Sequence, residues 1–131
     1  GRLAAAFEHL KHAEAVLAAN STGAARDGEL VALTCSNLGC YYIKAGLPRS
    51  ALQYLSRAMQ VEEAVAAEAA EAARSELSRD GAAQRAVARR HAAAVSLAKT
   101  KLNACAALSG IGNHEEAQRM AEEALQLLLD E

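Results

Sequence analysis

The residue types that can do chemistry are few in this chain, and they are scattered. His9 and His12 stand three apart, the spacing that lays two imidazoles on one face of a helix and lets them share a metal ion. No third ligand of suitable type lies near them, which favours exposed polar histidines; no metal and no cofactor is expected. Cys35, Cys40 and Cys105 make an odd number without the paired spacing of a zinc site or a disulfide framework. They read as reduced thiols packed like small apolar residues. The stretch "GIGN" at 110–113 follows a helical pattern rather than a strand and lacks the lysine of a phosphate-binding loop. No Ser-His-Asp or Cys-His arrangement is set in a context that singles it out, so the chain is not expected to be an enzyme. Asn37 and Asn103 offer something different. A side-chain amide in mid-helix adds little locally, but it presents both a donor and an acceptor to the backbone of an extended peptide. A solvated or interhelical hydrogen bond is the alternative for both.

The elements that must carry these residues are helical. The chain has 131 residues, enough for one domain with a real core, and it is rich in alanine, leucine, glutamate and arginine, the residues that lose least on entering a helix. Apolar positions at Leu3, Ala6, Phe7, Leu10, Ala13, Val16 and Leu17 recur every three or four residues and predict a first helix ending near Asn20. "NSTGAARDG", residues 20–28, supplies the turn. A second helix runs through Leu30, Leu33, Cys35, Leu38, Tyr42 and Ala45, and Gly46 ends it. Pro48, the single proline, opens the third, where its missing N–H costs nothing. Nothing breaks that helix before "SRDG" at 78–81, and a fourth of similar length runs from about Ala82 to Ser109. Asn113, with Glu116 three residues on, has the spacing of a capping box for a fifth. Five helices joined by short turns imply antiparallel neighbours.

Charge narrows the classes of partner. A formal net charge of -2 argues against a general electrostatic hold on nucleic acid. Uncharged runs fall far short of the roughly 20 apolar residues a bilayer requires, and the N-terminus lacks a signal-peptide pattern, so neither membrane insertion nor secretion is expected. Within the long hairpin, Glu62, Glu63, Glu68, Glu71 and Glu76 face Arg85, Arg89 and Arg90 across the fold-back at Gly81. The alanines at 64, 66, 67, 69, 70, 72 and 73 let the two helix axes approach closely.

The chain also repeats itself. Asn37, Gly46, Ala51 and Ala58 recur as Asn103, Gly112, Ala117 and Ala124, each 66 positions on, while Ala51, Leu55 and Ala58 look back to Ala6, Leu10 and Ala13 at a shift of 45. One helix-turn-helix unit therefore stands twice, preceded by the second half of another. The sequence "SNLGCYYIKAGLPRSALQYLSRAM", residues 36–59, resembles a tetratricopeptide repeat: Leu38, Gly39, Tyr42, Gly46, Ala51, Leu55 and Ala58 fill that family's pattern in order. Cys35 replaces the usual tryptophan. The second copy keeps Gly112, Ala117, Ala121 and Ala124 but has Ala104, Cys105 and Leu108 where Leu, Gly and Tyr are usual. The resemblance implies an all-α fold, a short solenoid of about five antiparallel helices. It divides as a half repeat over 2–19, a repeat over 28–62 extended by 63–77, a tip at 78–81, and an extension over 82–97 leading into a repeat over 98–130. The family's unit is 34 residues. The 66-residue spacing lengthens helices three and four by about 24 Å each, which makes a protruding hairpin.

What the resemblance implies about function is a protein–protein interaction module of a larger cytoplasmic scaffold, cytoskeletal assemblies being a frequent setting for such long-helix repeats. In this family the first helix of each repeat lines a concave groove. Carried over, that face presents Leu33, Ser36, Asn37, Cys40, Ile43 and Lys44 from one copy, and Lys99, Leu102, Asn103, Ala106 and Ser109 from the other. A subset of the family grips the C-terminal carboxylate of heat-shock chaperones there; Asn37 and Lys99 match two members of that clamp, while Asn103 stands where an arginine would be. The partner expected is a protein or peptide. The alternative is a homo-oligomer built through the alanine-rich hairpin or the solenoid ends, since Leu125, Leu127, Leu128 and Leu129 crowd the last helix beyond what one buried face absorbs.

Overall fold

The structure, a computed structural model, describes residues 1–19, 25–75 and 81–130. The described residues form five helices and no strand: α1 (Arg2–Ala19), α2 (Ala25–Lys44), α3 (Pro48–Ser75), α4 (Ala82–Gly110) and α5 (His114–Leu129). The all-α class read from composition is the class observed. α2 begins ahead of the boundary expected at Gly28, and most of the turn expected at 20–28 lies outside the described residues, as does the tip at 78–81 apart from Gly81.

Both described reversals use the same chemistry. At the end of α2, Gly46 takes φ 77°, and the amides of Gly46 and Leu47 donate to the carbonyls of Ile43 (3.1 Å) and Tyr42 (2.8 Å). At the end of α4, Gly112 takes φ 82°, with Gly112 donating to Ser109 (3.1 Å) and Asn113 to Leu108 (2.9 Å). This pair of bonds satisfies the last carbonyls of each helix and needs a residue able to turn left-handed. Pro48 is the first residue of α3, as its missing donor requires. Asn113 caps α5, its side-chain oxygen accepting from the Glu116 amide at 3.4 Å. The reciprocal half of the capping box is not made: the Glu116 carboxylate takes Arg119 instead, and the Asn113 amide is held by Leu108.

Consecutive helices pack antiparallel. Gly39 of α2 lies against Leu55 of α3, Pro48 of α3 against Gly110 of α4 with Glu62 further along meeting Thr100, and Lys101 of α4 meets Glu123 of α5. Alternate helices touch in parallel. Lys11 and Glu14 of α1 reach Tyr54 and Arg57 of α3, and Ser36 and Cys40 of α2 reach Thr100 and Asn103 of α4. The main apolar cluster joins Ala51 and Leu55 of α3, Ala104, Ala107 and Leu108 of α4, and Ala117 and Met120 of α5. Its small residues let the helix axes approach, as the alanine-rich composition requires.

The long hairpin of α3 and α4, 28 and 29 residues, closes on buried Ala73, Ala86 and Ala94. Three of the acidic residues of α3 have these partners among the described residues. Glu62 meets Thr100, Glu63 lies 3.6 Å from Lys101, and Glu71 pairs with Arg74 of its own helix; an i,i+3 partner on the same turn is nearer to hand than one across the seam. Glu76 lies outside the described residues.

Every aromatic side chain of the protein gathers at one place. Phe7 stacks on Tyr41 at 4.6 Å between ring centroids and meets Tyr42 edge-on at 5.8 Å, and Tyr42 stacks on Tyr54 at 5.5 Å. The Lys11 ammonium lies 5.5 Å from the centre of the Tyr54 ring and donates to its hydroxyl at 2.9 Å, which holds Lys11 in its charged form. These contacts fasten α1 to α2 and α3. Its remaining apolar stripe is thinly covered, with Leu3 and Val16 exposed.

Candidate functional site

The parallel neighbours α2 and α4 present a common face, and two hydrogen bonds form its seam. Ser36 Oγ lies 3.4 Å from Thr100 Oγ1, and the Asn103 side-chain amide donates to Cys40 Sγ at 3.3 Å. Ser36, Cys40 and Asn103 are half-buried along this seam, and Ile43 is half-buried against the main core cluster. To either side the face is open. Leu33 (58 %), Asn37 and Lys44 stand exposed on α2; Leu102 (48 %), Lys99, Ala106 and Ser109 stand exposed on α4. Of the residues expected of this face, the structure brings Ser36, Cys40 and Asn103 to a seam that joins the helices, leaves Leu33, Asn37, Lys44, Lys99, Leu102, Ala106 and Ser109 exposed to solvent, and packs Ile43 toward the core. The two asparagines part company: the Asn103 amide is spent on the seam, while Asn37 is exposed.

Beneath the seam lies a polar junction that the sequence reading missed. Thr100 is fully buried, and its hydroxyl donates to Glu62 Oε1 of α3 at 2.6 Å. Ser36 approaches the same hydroxyl from α2. The Ser96 carbonyl lies 3.2 Å from it, but a hydroxyl has one hydrogen, and the shorter contact to the carboxylate takes it. Burial pushes the Glu62 carboxyl above its ordinary value, and the Thr100 hydrogen bond opposes that rise without cancelling it. Three helices thus meet at one threonine. A signal was available, for Thr34 recurs as Thr100 at the same shift of 66, and both are buried.

A second missed residue is Lys101, buried at the position where the first copy has Cys35. Its ammonium donates to Glu123 of α5 at 2.7 Å and lies 3.6 Å from Glu63 of α3. The stem is packed and the charge is paired on both sides.

His9 and His12 are exposed on α1, and no cluster of three or more metal-ligating side chains occurs among the described residues. Cys35 is buried, Cys40 and Cys105 half-buried, and all three are free thiols. Burial pushes the Cys35 thiol up, away from the reactive thiolate. No described helix is long and apolar enough to cross a membrane. Compared with known proteins, the chain matches no family model, no curated protein and no solved structure.

Proposed function

We propose that the chain is a non-catalytic protein–protein interaction module of the tetratricopeptide-repeat kind, a short helical solenoid that binds a peptide or helix of a partner on the α2–α4 face. It serves a larger cytoplasmic scaffold, in keeping with the cytoskeletal settings that the resemblance implies. The observation that supports this most is the α2–α4 seam. Because Ser36 meets Thr100 and Cys40 meets Asn103, the first helices of the two copies lie side by side. Exposed Leu33 and Leu102 then flank a surface carrying Asn37, Lys44 and Lys99, apolar anchors among polar groups able to hold a peptide backbone. With Asn103 engaged by Cys40, the backbone-clamping role falls to Asn37.

The test is capture of partners from an extract of the source cells by the immobilised chain, comparing wild type with a Leu33→Asp, Asn37→Ala, Leu102→Asp variant. All three side chains are exposed, so the fold is expected to stand and partner recovery to collapse. Equal recovery by the two would remove the reading. One observation favours self-assembly as a second reading: Leu125, Leu128 and Leu129 stand 58 %, 45 % and 69 % exposed on α5. Light scattering over a range of concentrations decides it, a strict monomer counting against.

A further inference from the structure

On the other side of α4 from the seam, the structure opens a trough with two walls and a floor. One wall is a stripe of α3 running from Leu52 through Met59 to Glu63; the other is a stripe of α5 from Glu116 through Met120 to Glu123. α4 provides the floor with Ala104, Leu108 and the stem of Lys101. The space amounts to about 510 Å³. Its length follows from the α3 wall, since the eleven steps of about 1.5 Å from Leu52 to Glu63 span about 16 Å, or three helical turns.

Two features give the trough a chemical character. Both methionines of the protein line it, and the flexible, polarisable thioether adapts to irregular apolar partners better than a branched side chain does. Its rim is acidic. Of the charged groups in the trough, Glu63, Glu116 and Glu123 are carboxylates, and Arg119 is the one exposed cation. Lys101 is sunk in the floor with its side chain 9 % exposed. Arg119 is committed to Glu116 and Glu123, and its hydrogen bond holds the Glu116 carboxyl below its ordinary value. Glu63, 56 % exposed and only 3.6 Å from Lys101, is the carboxylate best placed to take a further cation. The walls are helices with no free backbone edge, so an occupant is recognised through side chains laid into a groove and not by strand addition.

We propose that this trough is a docking site for a basic amphipathic helix of about three turns from a partner protein. The occupant's apolar stripe sits on half-buried Leu52 and Met59, with buried Met120 beneath it, and its lysines or arginines lie over Glu63 and the neighbouring rim. The site is separate from the α2–α4 face and does not rest on the function proposed for that face. Charge supports a basic partner over the exposed leucines of this chain's own α5, which come with Glu122 and Asp130 and carry the sign of the rim.

The experiment uses the full chain carrying methyl-labelled methionine, so that two NMR signals report on the two walls. The probe is an acetylated and amidated helical peptide with leucines at i, i+3, i+4 and i+7 and lysines elsewhere, set against the same peptide with glutamate for lysine. The lysine peptide is expected to move both methyl signals and to bind about tenfold or more tightly than its glutamate counterpart, weakening as salt rises. Glu63→Arg and Gln60→Lys, both at exposed positions, each reduce that affinity several-fold while leaving the helical circular dichroism unchanged. Equal binding of the two peptides, or binding that leaves both methyl signals in place, overturns the proposal. So does self-association of the chain that Glu63→Arg abolishes, which assigns the trough to a second copy.

Discussion

Around Gly46 and around Gly112 the chain makes the same reversal, bond for bond, yet the helices that leave those two turns are packed by different means. In the first copy Gly39 sits beneath Leu55: a Cβ on Gly39 would lie 2.5 Å from Leu55 Cγ and 2.6 Å from Cδ2. The equivalent positions in the second copy are Cys105 and Ala121, so the larger partner has moved from the second helix of the pair to the first. Leu38, fully buried, has Ala104 as its counterpart; Cys35 has Lys101. Arg57, paired back to Glu14 of α1, has Glu123, which takes Lys101 within its own copy. The turn is dictated by backbone chemistry and leaves little choice. A helix crossing needs only a conserved sum of volumes, and many pairs of residues supply it.

The largest expected effects probe that crossing. Leu55→Ala removes a side chain with no exposure and opens a cavity under Gly39, a loss of about 2–5 kcal/mol in urea unfolding. The equivalent step in the second copy, Ala121→Gly, costs about 1 kcal/mol, chiefly helix propensity. Similar losses from the two would break the comparison. Gly39→Ala adds a methyl group where the branch carbon of Leu55 already lies. It costs about 1–3 kcal/mol despite the better helix former, because that carbon cannot swing away as a chain end would. In the Gly39→Ala, Leu55→Ala double variant, which imitates Cys105 with Ala121, the penalty of the added methyl group should vanish. A double-mutant cycle measures this directly, and strict additivity would refute the volume exchange.

How far the sequence was legible follows from the same contrast. The turns, the helix starts at Pro48 and Asn113 and the burial of Leu38, Ala51, Leu55 and Ala58 depend on residues that do one thing wherever they stand. The α2–α4 face was legible as a set of positions, because periodicity fixes which side of a helix they share. Which of them would be seam and which surface was not, since Asn103 and Asn37 are the same residue type and only the neighbouring helix distinguishes them. Thr100 and Lys101 went unseen, and Glu62 was read only for its charge, because each is a polar residue covered by neighbouring helices that its own spacing does not reveal. The aromatic cluster was hidden likewise, by the separation of Phe7 from Tyr41, Tyr42 and Tyr54 along the chain.

A smaller effect is expected where the copies exchange an apolar residue for a charged one. Lys101 is buried, but its partners are not: Glu63 and Glu123 are 56 % and 39 % exposed. Lys101→Met therefore leaves no carboxylate stranded away from water, and methionine refills the space of the stem. Stability is expected to change by about 1 kcal/mol or less, a gain included. A loss of several kcal/mol would mean that the ion pair, and not the packing of the stem, holds α5 to the rest.

The smallest effect concerns Glu62 and its counterpart Leu128. The two differ in what covers them: Glu62 is half-buried against α4 with Thr100 donating to it, whereas Leu128 is exposed. Burial raises the Glu62 carboxyl above its ordinary value in the folded chain. At a pH below the unfolded value the group is protonated in both states and adds nothing unfavourable. As pH rises through the folded value, the carboxyl ionises in its half-buried site, and the folded state loses the advantage it had in acid. Glu62→Gln stays neutral throughout. The gap in urea midpoint between this variant and wild type should thus widen in the variant's favour from about pH 4 to about pH 7, while other carboxylates, Glu116 among them, cancel in the difference. Leu128→Glu places a carboxyl on the open counterpart position, and its unfolding free energy should track that of wild type to within about 0.5 kcal/mol at every pH. A flat gap for Glu62→Gln would mean that water reaches Glu62 as freely as it reaches Leu128, and that α4 does not seal the seam between the copies.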